Sequence, residues 1–432
     1  MSLLRILSFF ILLISIYSIN QWSKYPIGNT SFWWILDAII LFIFIKIKNP
    51  IFGNKKRKNV FTIKLYLFWI SICLIRGLFV AENYWEWKNL IGMGMVLLLP
   101  LAVNMSSNER IIQTILATWV KFALPSFFLF LPFFIYGDAI GRYLVPISFL
   151  LLFFPVIQNK WKILIISFSL FVLLSDLAAR SNIIKFIVPF IFSVLYYFRL
   201  FLSVKFFELI RLLLCLLPIC LFYTGITGIF NVFKIDEYIG EEFTTTSIEV
   251  GEKVEQNLKV DTRTFLYIEV LSSALKNDYY WFGRTPARGN ESASFGSIAL
   301  EELKTGKMER FSNEVSILNI FTWTGVIGVV LYFFIFYHSS YLAINKSNNF
   351  IIKIIGLCVT FRWAYAWVED FSLFDLSNIF LWIMIGMCYS VRFRAMSDND
   401  ITIWIRGVFD KRYHFIPKID YDKSVRNNAP LY

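Results

Sequence analysis

The residues best suited to chemistry in this sequence are arginines in or beside its most polar parts. Arg180 lies in the segment SDLAARSN, between two apolar runs. Four more follow in the polar stretch 231–313: Arg263, Arg284, Arg288 and Arg310. A guanidinium group does not lose its charge and can hold two phosphate oxygens at once. We therefore predict that these arginines gather above a membrane cavity and bind a diphosphate group without a metal ion.

Simpler interpretations exist for the same side chains. Arg180 could snorkel to the membrane surface or pair with Asp176 one turn earlier. Arg288 and Arg310 also suit a solvated loop surface, because exposed charges contribute little energy. Ionisable residues at the rim of a membrane span cost roughly 2.5–3.5 kcal/mol on insertion scales, which favours a function for Arg180.

A carboxylate and an amide stand where the polar stretch meets the next apolar run, in the segment FSNEVSILNIF. Glu314 at this boundary is predicted to be partly removed from water, which would raise its pKa and suit a general base. It could equally cap the N-terminus of the helix that follows. Asn313 beside it is a candidate for substrate binding.

The elements that must position these residues are membrane-spanning helices. Of the 432 residues, 57% are hydrophobic and 19% aromatic, and the mean hydropathy of +0.62 is too high for an ordinary water-soluble domain. A bilayer core about 30 Å thick needs roughly 20 apolar residues per helical crossing, and runs of about that length recur as far as residue 392. The sequence therefore predicts an all-α, polytopic membrane protein with about twelve transmembrane helices.

Four regions follow from the apolar runs: transmembrane helices 1–9 in 1–230, one large extracytoplasmic loop between helices 9 and 10 in 231–313, transmembrane helices 10–12 in 314–392, and a basic cytoplasmic tail in 393–432 that lies along the membrane. The basic cluster from Lys46 to Lys58 marks the cytoplasmic side by the positive-inside rule. Alternation of the crossings then places both termini in the cytoplasm and the large loop outside.

The spacing of apolar residues also predicts two individual helices. Apolar spacing in the loop predicts a helix over Thr264–Lys276, with Asp261 or Thr262 as its N-cap. The run 143–158 is predicted to be one of the crossing helices.

Other classes of chemistry are not indicated. The net charge of +12 comes largely from basic residues in short loops between helices, which indicates membrane topology rather than nucleic-acid binding. All five cysteines lie in apolar runs, where they act as small hydrophobic residues. The sequence lacks a glycine-rich phosphate loop, a zinc-type Cys/His spacing and a G-x-S-x-G turn. We therefore expect neither a metal ion nor a cofactor.

Three segments resemble the superfamily of O-antigen ligases and Wzy-type O-antigen polymerases. The segment LLSDLAARSNIIKFIV is similar to the family's S-R-G helix end and places Arg180 on its arginine. The segment TRTFLYIEVLSSALKNDYYWFGRTPARG resembles the family's loop pattern and places Arg263 and the Gly283–Arg284 turn. The segment SNEVSILNIFTWTGVIG is similar to the H-N-x-x-L … G-x-x-G entry into the helix after the loop.

The resemblance implies a glycosyltransferase of the bacterial inner membrane, with its large loop in the periplasm. Such an enzyme transfers a glycan from undecaprenyl diphosphate to a sugar hydroxyl of a lipid-linked acceptor, with inversion and without a metal ion. Arg180 and Arg263, helped by Arg284, would hold the diphosphate, and Glu314 would be the base. The expected partners are the undecaprenyl-diphosphate-linked glycan, membrane lipid, and chain-length regulator and flippase proteins.

One position departs from the family pattern. Members with ligase activity carry a histidine where this sequence has Glu314, or Asn313 in another alignment. The departure favours a polymerase, and a ligase that transfers glycan to lipid A-core is the alternative. A non-enzymatic flippase for the same lipid-linked sugar is disfavoured, because inverted repeats with broken helices in both halves are not evident.

Overall fold

The computed structural model describes residues 3–47, 60–135, 137–175, 179–231, 233, 244–249, 252–257 and 263–413. This part of the chain is helical almost throughout, which confirms the all-α class. Its α-helices, numbered in chain order, are α1 Leu3–Tyr17, α2 Thr30–Lys46, α3 Phe61–Val80, α4 Tyr84–Leu97, α5 Glu109–Thr118, α6 Leu124–Phe130, α7 Asp138–Tyr143, α8 Val145–Leu151, α9 Asn159–Ser175, α10 Arg180–Val194, α11 Val204–Thr227, α12 Thr264–Lys276, α13 Ser316–Asn345, α14 Phe350–Tyr365, α15 Leu376–Tyr389, α16 Val391–Ala395 and α17 Asp398–Phe409.

Several of these helices are long and apolar enough to cross a bilayer. The described residues contain seven such stretches: Leu4–Trp22, Phe61–Val80, Tyr84–Ser107, Glu109–Phe133, Arg180–Phe198, Val204–Thr227 and Ser316–Asn345. Each rises by about 1.5 Å per residue, so roughly 20 residues cover a core about 30 Å thick. Large apolar side chains such as Phe68 on α3 and Leu216 on α11 stay exposed in the folded chain. These features are those of a multi-pass membrane protein.

The predicted crossing over 143–158 is not one helix. Pro146 lies in the first turn of the seven-residue α8, and Pro155 lies in a 3₁₀ turn after it. Every residue from Leu144 to Phe153 is buried, and α8 packs against α9, α10 and α15. A run buried in protein and a run facing lipid are equally apolar, so hydropathy alone does not separate them.

Helix α13 lies at the centre of the molecule and is broken within its length. It packs against α3, α11, α14 and α15. Gly325 interrupts it with φ 69° and ψ −174°, a conformation that essentially only glycine adopts. The break lies where the chain around Gly283 approaches α13.

In its described residues, the stretch between α11 and α13 contains one α-helix, a π-helical turn at Ile298–Glu302 and two small two-stranded sheets. Helix α12 has the predicted bounds, Thr264–Lys276. Its N-cap is Arg263, without a side-chain capping bond, so the predicted cap is wrong; Asp261 and Thr262 lie outside the described residues. Strands β1 Thr244–Glu249 and β2 Glu252–Asn257 are antiparallel, as are β3 Asn290–Glu291 and β4 Glu309–Arg310. The sequence analysis did not predict these strands.

The segment after α15 is folded at least as far as residue 413. Helix α17 buries Ile401, Trp404 and Ile405, and the Trp404 indole donates to the carbonyl oxygen of Glu109 over 3.0 Å. The apolar side of α17 is therefore covered by protein, where the sequence analysis expected a tail lying along lipid. Residues 414–432 of that predicted tail lie outside the described residues.

Candidate functional site

Arg263 joins three parts of the chain at one point. Its Nη1 donates to Oε2 of Glu314 over 2.6 Å, and its Nε donates to the carbonyl oxygen of Val368 over 3.2 Å. Its Nη2 lies 4.0 Å from Oε2 of Glu369. The start of α12, the start of α13 and the connection from α14 to α15 therefore meet at this guanidinium.

Arg310 lies on the other side of Glu314. Its Nη2 donates to Oε1 of Glu314 over 3.4 Å, its Nε donates to the carbonyl oxygen of Ser312, and its guanidinium stands over the Phe295 ring. Its Nη1 is buried and has no hydrogen-bond partner among the described residues. A buried donor of this kind is costly unless a ligand or water accepts its hydrogen bond. Arg310 therefore has unused capacity to bind an anion.

Glu314 itself is open to solvent. Its side chain is 55% exposed, so the removal from water that the sequence analysis expected is absent. It also makes no capping bond, because the N-cap of α13 is Val315. The carboxylate stands between Arg263 and Arg310, within reach of a bound molecule.

A carboxylate that the sequence analysis missed lies behind Arg263. Burial raises the pKa of Glu369, and the positive charges of Lys185, Arg263 and Arg142 oppose this rise. Asp370 next to it is half-buried, and it accepts hydrogen bonds from the Ser372 amide over 2.8 Å and from the Ser316 hydroxyl over 3.3 Å. The connection between α14 and α15 is thus an anionic centre surrounded by cations.

Lys185 and Arg142 supply two of those cations from within the helical part. Arg142 of α7 pairs with Asp138 and lies 4.0 Å from Asp375, at the N-cap of α15. Lys185 of α10 is buried and donates to the Ser181 hydroxyl over 3.3 Å. Because ionisable residues inside apolar runs are costly, both positions could have been chosen from sequence as functional candidates, but only Arg180 was.

Arg180 begins α10, about one turn before Lys185, and its side chain is exposed. The acidic partner suggested for it, Asp176, lies outside the described residues. Helix α10 therefore carries one exposed and one buried cation near its N-terminus.

Arg284 and Arg288 are held by a protein carboxylate. Glu309, whose side chain is 5% exposed, accepts from Nη1 of Arg284 over 2.9 Å and from Nε of Arg288 over 2.9 Å. Nearby, Lys307 donates to the buried Glu86 over 2.5 Å and to Glu82 over 2.8 Å. These ion pairs fasten the loop to the start of α4. They leave Arg263 and Arg310 as the loop arginines best placed for a ligand.

Asn313 is buried and serves to join elements. Its backbone N–H donates to Oδ1 of Asn319 over 2.6 Å, and its Nδ2 donates to Oδ1 of Asn290 over 2.9 Å. It thereby connects β3 to α13. Asn313 therefore supports the site from behind, and the substrate contact predicted for it stays a prediction.

An apolar groove leads to the Arg263 site. It has a volume of about 430 Å³ and runs between α11, α12 and the end of α14. Its lining includes Leu217, Phe222, Gly225, Tyr267, Ile268 and Tyr365. Thr264 and Val368 also line it, and these residues are respectively the chain neighbour of Arg263 and the acceptor of its Nε. The polar site therefore lies at one end of the groove.

Substitution of Arg288 tests whether it is structural. Arg288→Ala removes one of two cations from the buried Glu309 and is expected to destabilise the fold by about 1.5–3 kcal/mol, the typical contribution of a hydrogen bond to a charged group. Lys276→Ala is the matched control, because its pair with Glu291 is exposed and is expected to contribute less than about 1 kcal/mol. Apparent melting temperatures of the two purified variants measure the difference. Equal values would contradict a structural role for Arg288.

Comparisons with family models, curated proteins and solved structures give no match to this chain. The function must therefore be argued from the site. Its arrangement suits an amphipathic ligand, with a long apolar part in the groove and an anionic group beside Arg263 and Arg310.

Proposed function

We propose that this protein is a polymerase of surface polysaccharide that uses an undecaprenyl-diphosphate-linked glycan as donor. The observation that carries the proposal is the position of Arg263 at the end of the apolar groove, with Glu314 beside it. A polyprenyl chain needs a lipid-facing apolar channel, its diphosphate needs fixed cations, and the transfer needs a base. The apolar groove, Arg263 and Glu314 are next to one another in this protein.

The groove suits a polyprenyl chain that enters from the bilayer. Ile226 of α11 and Ile268 of α12 line it and are 66% and 60% exposed. Leu217 and Phe222 continue the same wall along α11. A polyprenyl tail in this groove would replace ordinary acyl chains on its open side and gain van der Waals contacts with the groove walls.

The cations near Arg263 suit the diphosphate. Arg263 is fixed by Glu314 and Val368, so it is oriented before the ligand binds. Arg310 adds a second positive charge on the other side of Glu314. Arg180 is the third candidate, in accordance with the resemblance to the S-R-G helix end. Fixed donors of this kind stabilise the charge that develops on a departing diphosphate without reorganising during the reaction.

Glu314 is the proposed base. The acceptor hydroxyl oxygen forms a bond to the anomeric carbon of the donor while the bond from that carbon to the diphosphate oxygen breaks. The hydroxyl proton passes to Glu314, and the diphosphate leaves with the bonding electron pair towards Arg263. Attack opposite to the leaving group inverts the anomeric configuration, and the exposure of Glu314 leaves room for an acceptor.

The proposal includes the membrane arrangement. Helices α2, α9, α14 and α15 have 14 to 17 residues and would add four crossings to the seven long stretches. The α7–α8 segment, which is buried among other helices, would complete about twelve as a broken crossing of two short helices. Under the positive-inside rule, the loop carrying Arg263 and Arg310 lies in the periplasm of a bacterial inner membrane, and both termini lie in the cytoplasm.

A groove-filling substitution tests the proposal. Gly225 lines the groove, and a Cβ built there meets no atom within 4 Å, so Gly225→Phe places a ring in the groove without an internal clash. The ring should exclude part of the polyprenyl chain from the groove, and we expect about a tenfold loss of kcat/KM, which corresponds to roughly 1.4 kcal/mol. Purified protein with a synthetic undecaprenyl-diphosphate-linked repeat unit as donor and acceptor measures the rate.

The control is Leu213→Phe on the same helix, since Leu213 is 59% exposed and lies outside the groove lining. It is expected to retain the unsubstituted rate. No polymer from the unsubstituted protein would refute polymerase activity, and transfer to lipid A-core alone would identify a ligase. Equal rates for the two variants would refute the role of the groove.

A further inference from the structure

The turn from Tyr280 to Gly283 follows α12 in the stretch predicted to be extracytoplasmic, yet it packs along two apolar helices. The ring of Phe282 lies 6.1 Å from that of Trp69 on α3. Arg76 of α3 donates from Nη1 to the carbonyl oxygen of Phe282 over 2.9 Å and from Nη2 to that of Gly283 over 3.2 Å. This turn of the predicted extracytoplasmic loop therefore lies against the helical part.

The broken helix α13 receives the turn. The amides of Val326 and Ile327 donate to the carbonyl oxygens of Tyr280 and Trp281 over 2.8 and 3.4 Å, respectively. Arg76 donates to the carbonyl oxygens of Phe282 and Gly283, so each carbonyl group from Tyr280 to Gly283 has a donor. Backbone at membrane depth requires this pairing, because lipid offers no hydrogen bonds.

The chain that follows this turn also supplies hydrogen-bond donors to α13. The break at Gly325 frees carbonyl groups in the turn of α13 before it. The Arg284 amide donates to the carbonyl oxygen of Thr322 over 2.7 Å, the Thr285 amide to that of Trp323 over 3.1 Å, and the Trp69 indole to that of Thr324 over 2.9 Å. The two segments therefore satisfy each other's polar groups without water.

The helix positions give the depth of the turn. Helix α3 has 20 residues, about the thickness of a bilayer core. Arg76 and Trp69 precede its last residue, Val80, by about 6 and 16 Å at 1.5 Å per residue. Gly325 follows the first residue of α13 by about 13 Å on the same scale. Both helices place the turn well below the ends of the spans.

The aromatic side chains of the turn stay half exposed, with Trp281 at 52% and Phe282 at 53%. On α3, which the Phe282 ring approaches at Trp69, Ile75 and Phe79 are exposed as well. Single exposed apolar residues are ordinary, but two adjacent exposed aromatic side chains at this depth need an apolar neighbour.

We propose that Tyr280–Gly283 is a re-entrant turn whose aromatic side chains contact the acyl chains of the bilayer. Arg76 and the break at Gly325 hold it there. The extracytoplasmic loop is thus anchored in the leaflet beside the protein as well as through its two ends. This inference requires only that α3 crosses a membrane and stands independently of the enzymatic proposal.

Photocrosslinking of the unmodified chain tests the turn. The protein is reconstituted in vesicles that contain a phospholipid with a diazirine at mid-acyl chain, irradiated, digested with trypsin and mapped by mass spectrometry. Cleavage after Lys276 and Arg284 releases Asn277–Arg284, which contains the whole turn. We expect lipid adducts on this peptide at a yield within about threefold of the α3 peptide Leu65–Arg76, which serves as the positive control.

The peptide Gly289–Lys304 from the same loop is the negative control and should carry at least tenfold fewer adducts. Adducts on Leu65–Arg76 without adducts on Asn277–Arg284 would overturn the proposal. Crosslinks from Asn277–Arg284 to a second copy of the protein would also overturn it, because the patch would then be a protein interface.

Discussion

Arg263→Ala is expected to abolish glycan polymer formation while leaving the amount of protein in the membrane unchanged. The substitution removes the guanidinium that lies at the end of the apolar groove and next to Glu314. Loss of one preorganised donor to a developing anion typically costs about 10²–10³ in rate, and Arg263 also positions the proposed base. Polymer length on a gel of surface glycans and turnover of a purified lipid-linked repeat unit measure the effect.

Two further variants separate chemistry from structure. Lys276→Ala changes a cation at the other end of α12 and is expected to leave polymer length normal, because its ion pair is exposed. Arg263→Lys keeps the charge but loses the planar fork, so it should recover part of the rate. Polymers of normal length from membranes that contain Arg263→Ala would refute the assignment of the site, and so would an equal loss in Lys276→Ala.

Much of the arrangement around Arg263 was accessible from sequence. The helix Thr264–Lys276 was found with its observed bounds, because its apolar residues recur at helical spacing and polar residues flank it. Arg263, Arg310 and Glu314 were chosen as chemically suited residues near span boundaries, and the structure brings these three together. The roles proposed for them remain predictions.

The cations and carboxylates behind Arg263 were not found, for a physical reason. Glu369 acts beside Arg263 only because the connection from α14 to α15 folds against the start of α12, more than 100 residues away in sequence. Lys185 and Arg142 belong to the same environment through α10 and α7. Local sequence does not indicate which distant residues come into contact. It does mark each ionisable residue in an apolar run as a candidate for function.

The re-entrant turn was not predicted because the turn and the break at Gly325 lie next to each other only in the folded chain. Gly325 was recognised as part of a G-x-x-G pattern, but the sequence did not show that the chain around Trp281 would occupy the space beside it. The apolar residues of the turn were too few to form a span of their own. A loop that contains a short aromatic run next to a glycine is therefore worth comparing with glycines inside the neighbouring predicted helices.

Gly325→Ala is expected to cause one of the largest losses of stability among the glycine-to-alanine substitutions of the described residues. A Cβ at Gly325 would lie 2.2 Å from the carbonyl oxygen of Trp281, and φ at Gly325 is +69°. A positive φ combined with an extended ψ of −174° is a region that essentially only glycine adopts and costs alanine about 1–3 kcal/mol, and overpacking adds typically 1–3 kcal/mol. Relief by backbone movement would break the hydrogen bonds of Val326 and Ile327 to the turn. We expect a total of about 3 kcal/mol or more.

Gly306→Ala is the matched control, because Gly306 has φ +72° and a Cβ there meets no atom within 4 Å. It bears the cost of a positive φ without the close approach, so a loss at Gly325 well beyond that at Gly306 indicates the contact of α13 with the turn. Size-exclusion profiles of detergent-solubilised protein after heating give both apparent melting temperatures. The turn packs against α13 as described only if Gly325→Ala melts well below Gly306→Ala, and equal melting temperatures would contradict that packing.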